Sequence, residues 1–449
     1  MTSRAALLRH PVALAGIVLT TVSAAIFLAL VAAELAGLLP NPYAGLVVFV
    51  ALPALFLAGL LLIPLGIRLE RRRLARTQAT PSWPVVDLGV PRVRRTVLAV
   101  LVLSALNVSI LLVAGYGALH WMESPQFCGQ TCHTPMHPQF SAWTATAHAK
   151  VACATCHIGE GAEGFMHAKL AGVRQLWQVA TTSYPRPIPS VARGMPPAAE
   201  VCGRCHIATR DYGVVVKTLR EYAEDESNTE SATVLQMQVG GPHRPTAAGR
   251  AIHWHADPSV RIEYVATDAD RQMIPYVKVT DRGGQIREFT TEGTTAEQLA
   301  AGERRVMDCV DCHNTIGHRV APTVEGAVNA ALASGAVDAK LPFVRREAAR
   351  VLSAEYPTPA DAEAAIDREL RAFYKTGTAD SAALENAVGA LRAVYRHNVF
   401  PAMKVTWGTY PDNIGHMTSS GCFRCHDGRK AKDGKELSAD CEFCHIQPS

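Results

Sequence analysis

The chain has 449 residues and a formal charge of +4, with 44 Lys and Arg against 40 Asp and Glu, and its length calls for more than one folding unit. A hydrophobic share of 48% beside 19% charged residues is high for a soluble protein, and the excess lies at the front. Near-balanced charge, without a basic stripe interleaved with aromatics, excludes nucleic acid as a partner.

Three apolar stretches open the chain, over 12–37, 43–67 and 96–119, each longer than the roughly 20 residues that a helix needs to cross a bilayer core. The first is too long for the apolar part of a signal peptide, and a second follows closely, so it reads as an uncleaved anchor rather than a segment removed after export. Arg4 and Arg9 precede the first stretch, the link Leu38 to Pro42 is uncharged, and the loop after the second holds Arg68, Arg71, Arg72, Arg73, Arg76, Arg92, Arg94 and Arg95. Loops rich in arginine stay on the cytoplasmic side, so the N-terminus and this loop are expected inside. Three crossings then put everything after His120 on the outer, periplasmic side of a bacterial inner membrane.

Beyond the third stretch all 12 Cys fall into six pairs, each followed at once by His. They read Cys128-Gly-Gln-Thr-Cys132-His133, Cys153-Ala-Thr-Cys156-His157, Cys202-Gly-Arg-Cys205-His206, Cys309-Val-Asp-Cys312-His313, Cys422-Phe-Arg-Cys425-His426 and Cys441-Glu-Phe-Cys444-His445. C-x-x-C-H is the attachment signature of haem c: two thiols reach the two vinyl groups of one porphyrin, and the adjacent His lies under the iron. Zinc would need Cys pairs gathered in fours, without His fixed behind the second Cys, and disulfides need no His at all. The first site differs in having three residues between its cysteines. The cofactors expected are thus six covalently bound haems c, with His133, His157, His206, His313, His426 and His445 as proximal iron ligands. His10 and His120 lie at the ends of apolar stretches and none lies within one, so a haem b inside the membrane would lack ligands. Electron transfer across the membrane through this chain alone is excluded on that ground.

The spacing of the sites is uneven, and Tyr184-Pro-Arg-Pro-Ile-Pro reads as an extended tether between the second and third. Between the third and fourth, Gly213-Val-Val-Val-Lys, Thr233-Val-Leu-Gln-Met-Gln-Val and Tyr276-Val-Lys-Val-Thr predict a small antiparallel β insertion, with Asp281-Arg-Gly-Gly as a turn. From 323 to 397 the pattern turns helical over Glu325 to Ser334, Pro342 to Glu355, Pro359 to Tyr374 and Ser381 to Arg396, with Pro357 and Pro359 marking a break.

Six low-spin haems need distal ligands too, and neutral imidazole is the usual one. Removing the motif histidines from 17 leaves 11, of which His148, His253, His255, His318, His397 and His416 are best placed, with His137, His167 and His243 in reserve. The expected set is His148, His318, His397 and His416 together with His253 or His255, leaving haem 1 without a distal His. Met136, three residues after His133, is a further candidate at that haem.

The stretch from about 96 to 206 resembles the NapC/NirT-type membrane-anchored quinol dehydrogenase cytochromes. The resemblance rests on the span ending at His120, the Cys128 site with Met136, His148 ahead of Cys153, and Lys169 within Phe165-Met-His-Ala-Lys-Leu. It implies membrane quinol, menaquinol here, as electron donor, a periplasmic redox partner protein or extracellular acceptor, contact with membrane lipid, and Lys169 and Gln175 as quinol-binding candidates. The chain departs from that pattern in its longer first motif, three spans for one, Gln175 near the family's acidic position, and six haems for four.

The fold class expected is mostly α with a small β insertion: three transmembrane helices plus an outer multihaem domain organised around haem packing. Its parts are 1–95, a two-helix membrane hairpin with an Arg-rich cytoplasmic loop; 96–206, anchor helix and haems 1 to 3; 207–300, a β-rich insertion; and 301–449, a helical region with haems 4 to 6. The function expected is transfer of electrons from the quinol pool to an outer acceptor. The alternatives are a conduit fed by a partner protein and lacking its own quinol site, and a terminal reductase of a small nitrogen or sulfur compound.

Overall fold

The computed structural model describes residues 10–35, 51–76, 87–131, 133–158, 161–190, 195–207, 210–241, 245–246, 249–375 and 380–446. The chain divides into two units, Met1–Thr131 and Cys132–Ser449.

The first unit is helical. Helices α1 (Pro11–Leu35) and α2 (Leu52–Arg76) pack antiparallel along small residues. A Cβ on Gly16 would lie 2.7 Å from the Gly59 carbonyl oxygen, and one on Gly66 would lie 2.3 Å from the Ala13 nitrogen. Only glycine lets the two backbones approach so closely, which is how helices gain packing energy where the surroundings are as apolar as they are. Thr20 donates to the Gly16 carbonyl at 2.8 Å and Ser23 to the Leu19 carbonyl at 2.6 Å, so neither hydroxyl needs water. Leu14, Val18, Val22 and Ile26 point outward at a four-residue spacing. Helix α3 (Pro91–Met122) starts on Pro91, whose missing N–H costs nothing in a first turn.

Helices occupy the described part of each apolar stretch. Among the described residues, Leu52–Arg73 is long and apolar enough to cross a membrane, whereas Pro11–Phe27 counts as a shorter apolar helix. The second helix runs on past the expected end at residue 67 to Arg76, and residues 43–50 of the expected span lie outside the described residues. Arginine is a good helix former, so the basic loop begins as helix.

The second unit opens with α4 (His133–Thr144), α5 (Cys153–His157), α6 (Gly161–Ala180) and α7 (Ala198–Cys202). Strands β1 (Val215–Tyr222) and β2 (Glu230–Met237) form a hairpin in the register Val215↔Met237 to Tyr222↔Glu230. A two-stranded ribbon, β3 (Pro245–Thr246) and β4 (Gly249–Arg250), precedes a 3-10 turn over Ile252–Ala256. Strands β5 (Arg261–Ala266), β6 (Tyr276–Thr280), β7 (Ile286–Thr290) and β8 (Glu303–Val306) build an antiparallel sheet in the order β7-β6-β5-β8, with α8 (Ala296–Ala301) between its last two strands in sequence. Tyr264, Val277 and Phe289 bury one side of this sheet together with Ala431.

After α9 (Cys309–Cys312) come α10 (Val324–Ala333), α11 (Val344–Ser353), α12 (Pro359–Tyr374) and α13 (Ser381–Asn398). Three of these start on a side-chain cap: Thr323, Thr358 and Asp380 accept backbone N–H groups in the first turns of α10, α12 and α13. On α11, Val344, Ala348, Val351 and Leu352 fall on one helical face and are buried with Val328, Ile366, Leu370 and Leu391. Strand β9 (His445–Ile446) pairs with β2, so the last Cys pair is tied to the hairpin.

Candidate haem centres

The second to sixth Cys-Cys-His motifs are each folded as a single tight turn. The His206 N–H donates to the Cys202 carbonyl at 2.8 Å, His313 to Cys309 at 2.8 Å and His426 to Cys422 at 3.0 Å, while α5 spans the second motif. A bond from residue i+4 back to residue i puts the outer Cys and the His on one face of the turn, with the second Cys beside them.

Five motif histidines each face a histidine from elsewhere. Ring centroids lie 6.0 Å apart for His157 and His318, 6.1 Å for His206 and His148, and 6.5 Å for His313 and His253. They lie 5.8 Å apart for His426 and His255 and 6.1 Å for His445 and His416. With metal–nitrogen bonds of about 2 Å and a ring nitrogen about 1.1 Å from its centroid, two imidazoles on opposite sides of one iron have centroids about 6.2 Å apart. The spacing of every pair is therefore compatible with a metal ion between the two rings. Direct hydrogen bonds between the rings would bring them closer.

The rings are also held in the protonation state that iron needs. Nδ1 of His255 lies 2.7 Å from the Ile252 carbonyl, that of His318 3.0 Å from the Gln139 carbonyl, and that of His426 2.9 Å from the Ser438 carbonyl. A carbonyl only accepts, so Nδ1 carries the proton there and Nε2 keeps its lone pair. Buried Nδ1 atoms of His148, His253 and His445 have no hydrogen-bond partner. Burial lowers the pKa of His157, His253, His313, His318 and His445, and takes His255 down to about 4, so these imidazoles stay neutral.

The thiols fit the same group. Burial pushes Cys312 up to about 12 and Cys425 and Cys444 up to about 11, which disfavours thiolate and hence a bare-metal site. No group of three or more His, Cys, Asp or Glu that could hold a metal ion occurs among the described residues.

Neighbouring motifs touch in chain order. Helix α7 of the third motif packs against both α5 of the second and α9 of the fourth. The Cys202 and Cys309 thiols hydrogen-bond to each other, which takes Cys309 down to about 7. His253 and His255 stand on one 3-10 turn and face the fourth and fifth motif histidines. After burial, the charge of Cys422 is the largest influence on both Cys312 and Cys444, joining motifs four, five and six.

Other expected residues lie elsewhere. His397 is not brought to a described motif histidine: its Nδ1 lies 3.0 Å from the Ser141 hydroxyl. Both His253 and His255 face motif histidines, where one of the two was expected. Cys132 and the His133 side chain lie outside the described residues. Half-buried Met136 and exposed His137 sit on α4, His137 edge-on to Phe400 at 5.1 Å. Lys169 and Gln175 belong to α6, Lys169 half-buried and Gln175 exposed.

Two residues that sequence reasoning passed over join the fourth and fifth motifs. Arg424 is buried and donates to the Asp311 carbonyl at 2.5 Å, and buried Asp311 accepts the Tyr264 hydroxyl at 2.5 Å. Both occupy the variable positions of their motifs, where a charge reads as solvated.

The model of the NapC/NirT cytochrome c family, N-terminal region, matches residues 90–187. The chain is also 37% identical over 447 residues to the cytochrome c-type protein ImcH of Geobacter sulfurreducens, covering 97% of this chain and 87% of that one. No solved structure matches. Motifs folded for covalent attachment, facing neutral imidazoles and this likeness along nearly the whole length agree: the chain belongs to the NapC/NirT cytochrome c family of haem c electron-transfer proteins.

Proposed function

We propose that the chain is a membrane-bound hexahaem cytochrome that takes electrons from membrane quinol, menaquinol in particular, and delivers them to a periplasmic or extracellular acceptor. The five facing histidine pairs carry this reading, because they provide paired axial ligands for five of six motifs. The sixth, at Cys128, Cys132 and His133, opens the series. Each haem, when bound, takes up and returns one electron. The protein's part is to fix the order of the sites and the neutral state of their imidazoles. Helices α1, α2 and α3 anchor the chain with its N-terminus inside, following the arginine pattern of the loop 68–95. Lys169 and Gln175 on α6 supply polar groups to orient the quinol hydroxyl, beside the exposed Met166, Leu170, Val173 and Trp177.

Purified protein should give a pyridine haemochrome signal of six haems per chain, and His148→Ala, His318→Ala or His416→Ala should each turn one low-spin haem high-spin. Lys169→Ala should slow reduction by a menaquinol analogue while dithionite still reduces every haem. Equal menaquinol rates would remove Lys169 from the site, and a parent that menaquinol cannot reduce would make the chain a partner-fed conduit.

A further inference from the structure

We infer that buried charge on the loops of sites four and five makes the electron step between them directional, with Arg424 holding site five at a higher reduction potential than site four. This rests on the haem reading above and adds a direction of flow, towards the C-terminal sites.

The two sites are neighbours, since His253 and His255 on one turn face His313 and His426. Their loops differ in charge. In the fifth motif, Arg424 is 8% exposed and its guanidinium meets only carbonyl oxygens: Gly421 at 2.9 Å, Arg271 at 2.9 Å and Asp311 at 2.5 Å. Nearby Arg429 is already balanced by Asp427 at 2.7 Å. That loop therefore holds two guanidiniums against one carboxylate.

The fourth motif is richer in carboxylates. Asp311, 4% exposed, takes hydrogen bonds from the Tyr264 hydroxyl at 2.5 Å and the Asp308 N–H at 2.8 Å. Arg305 is shared between Asp311 at 3.4 Å and Asp308 at 3.7 Å. Asp412, on the chain that leads to the fifth motif, is 8% exposed and bears on His313, while its partner Arg319 is largely in solvent. Three carboxylates thus stand against Arg305, the solvent-screened Arg319 and Arg424, which bears on Cys312 as well as on Cys425.

A haem loses one unit of positive charge when it is reduced. A buried cation favours the reduced form and a buried anion the oxidised form, and both act strongly where water is excluded. With haems bound, one electron would pass from a ferrous iron at site four to a ferric iron at site five, with no bond or proton moved. The charges make that step downhill and its reverse uphill.

The test is a potentiometric titration of the full-length holoprotein at pH 7, followed optically and by electron paramagnetic resonance. His253→Met and His255→Met first identify the waves of sites four and five, because a Met ligand raises the potential of its haem. Arg424→Gln should lower the site-five wave, changing its ferric-to-ferrous ratio at fixed potential at least tenfold, or about 59 mV for a one-electron couple. Arg424→Lys, which keeps the charge, should stay near the parent, and Asp311→Asn should raise the site-four wave. A site-five wave unmoved by Arg424→Gln, or moved equally by Arg424→Lys, overturns the proposal, as does a parent in which site four has the higher potential. Where Arg424→Gln lowers the haem count, the Asp311→Asn wave decides. A parent with fewer than six haems defeats the hexahaem reading but leaves this comparison intact.

Discussion

The helical region over Val324–Asn398 and the haem-bearing stretches around it are built on different economies. Helices α10 to α13 close on a core of their own, in which Val328, Leu352, Ile366, Leu370 and Leu391 are completely shielded from solvent. Around the motifs the secondary structure is a series of turns of three to five residues, and Cys205, Cys441 and His206 stay exposed. A segment this poor in buried apolar surface cannot offset its ordering entropy alone. On the haem reading proposed above, porphyrins bonded through two thiols and clasped between imidazoles would supply the missing core there, so that one part of this unit would fold around side chains and the other around cofactors.

Withholding haem attachment breaks the comparison most severely. Chains produced without haem ligation should lose protease resistance around the motifs while Val324–Asn398 survives as a resistant fragment, read by limited trypsin digestion and mass spectrometry. Uniform digestion would mean that the helical core also depends on haem. Leu352→Ala should act in the opposite sense, costing about 2–5 kcal/mol by leaving a cavity among side chains that cannot collapse to fill it. Calorimetry should show that loss while the haem absorption spectrum is unchanged. A smaller effect is expected at the join. Asn228 in the β1–β2 turn is buried, donates to the Ala339 and Leu341 carbonyls at 2.9 and 2.8 Å, and accepts the Arg345 N–H at 2.8 Å. Its φ of +49° suits Asn better than most residues. Asn228→Ala should cost about 1–3 kcal/mol, because three buried backbone groups lose their partner.

The two regions were also unequally legible in the sequence. The helices over 323–397 announce themselves by period and caps: Pro359 to Tyr374 is the observed α12, and Ser381 to Arg396 falls two residues short of α13. The motifs are visible because their chemistry lies in consecutive residues. Strands β1, β2 and β6 show as β-branched runs, whereas β7 (Ile-Arg-Glu-Phe-Thr) and β8 (Glu-Arg-Arg-Val) are too charged to stand out, and β9 is hidden inside a motif. Which histidine faces which motif is a matter of tertiary register. His318 lies five residues after the fourth motif histidine, yet it faces the second, and His397 stands by Ser141 instead. Local spacing carries no signal for such pairings, and none for a buried Arg424.

The smallest effect sharpens the contrast because it separates stability from redox chemistry. Thr358 caps α12: its hydroxyl accepts the Asp361 N–H at 3.2 Å and donates to the Asp361 carboxylate at 2.7 Å, and Pro359 follows at the first helical position. Removing such a cap leaves one N–H of the first turn to water and costs about 1 kcal/mol. The site is exposed and α12 carries no motif residue, so Thr358→Ala should destabilise the helical region while every haem keeps its spin state and potential. Helix α12 packs on α13, whose last turn places His397 beside Ser141 of α4. A shift in any haem wave in Thr358→Ala would therefore show that the packing of the helical region reaches the cofactors through α13. Thermal unfolding that drops by a few degrees with an unchanged potentiometric titration would leave the two halves energetically independent.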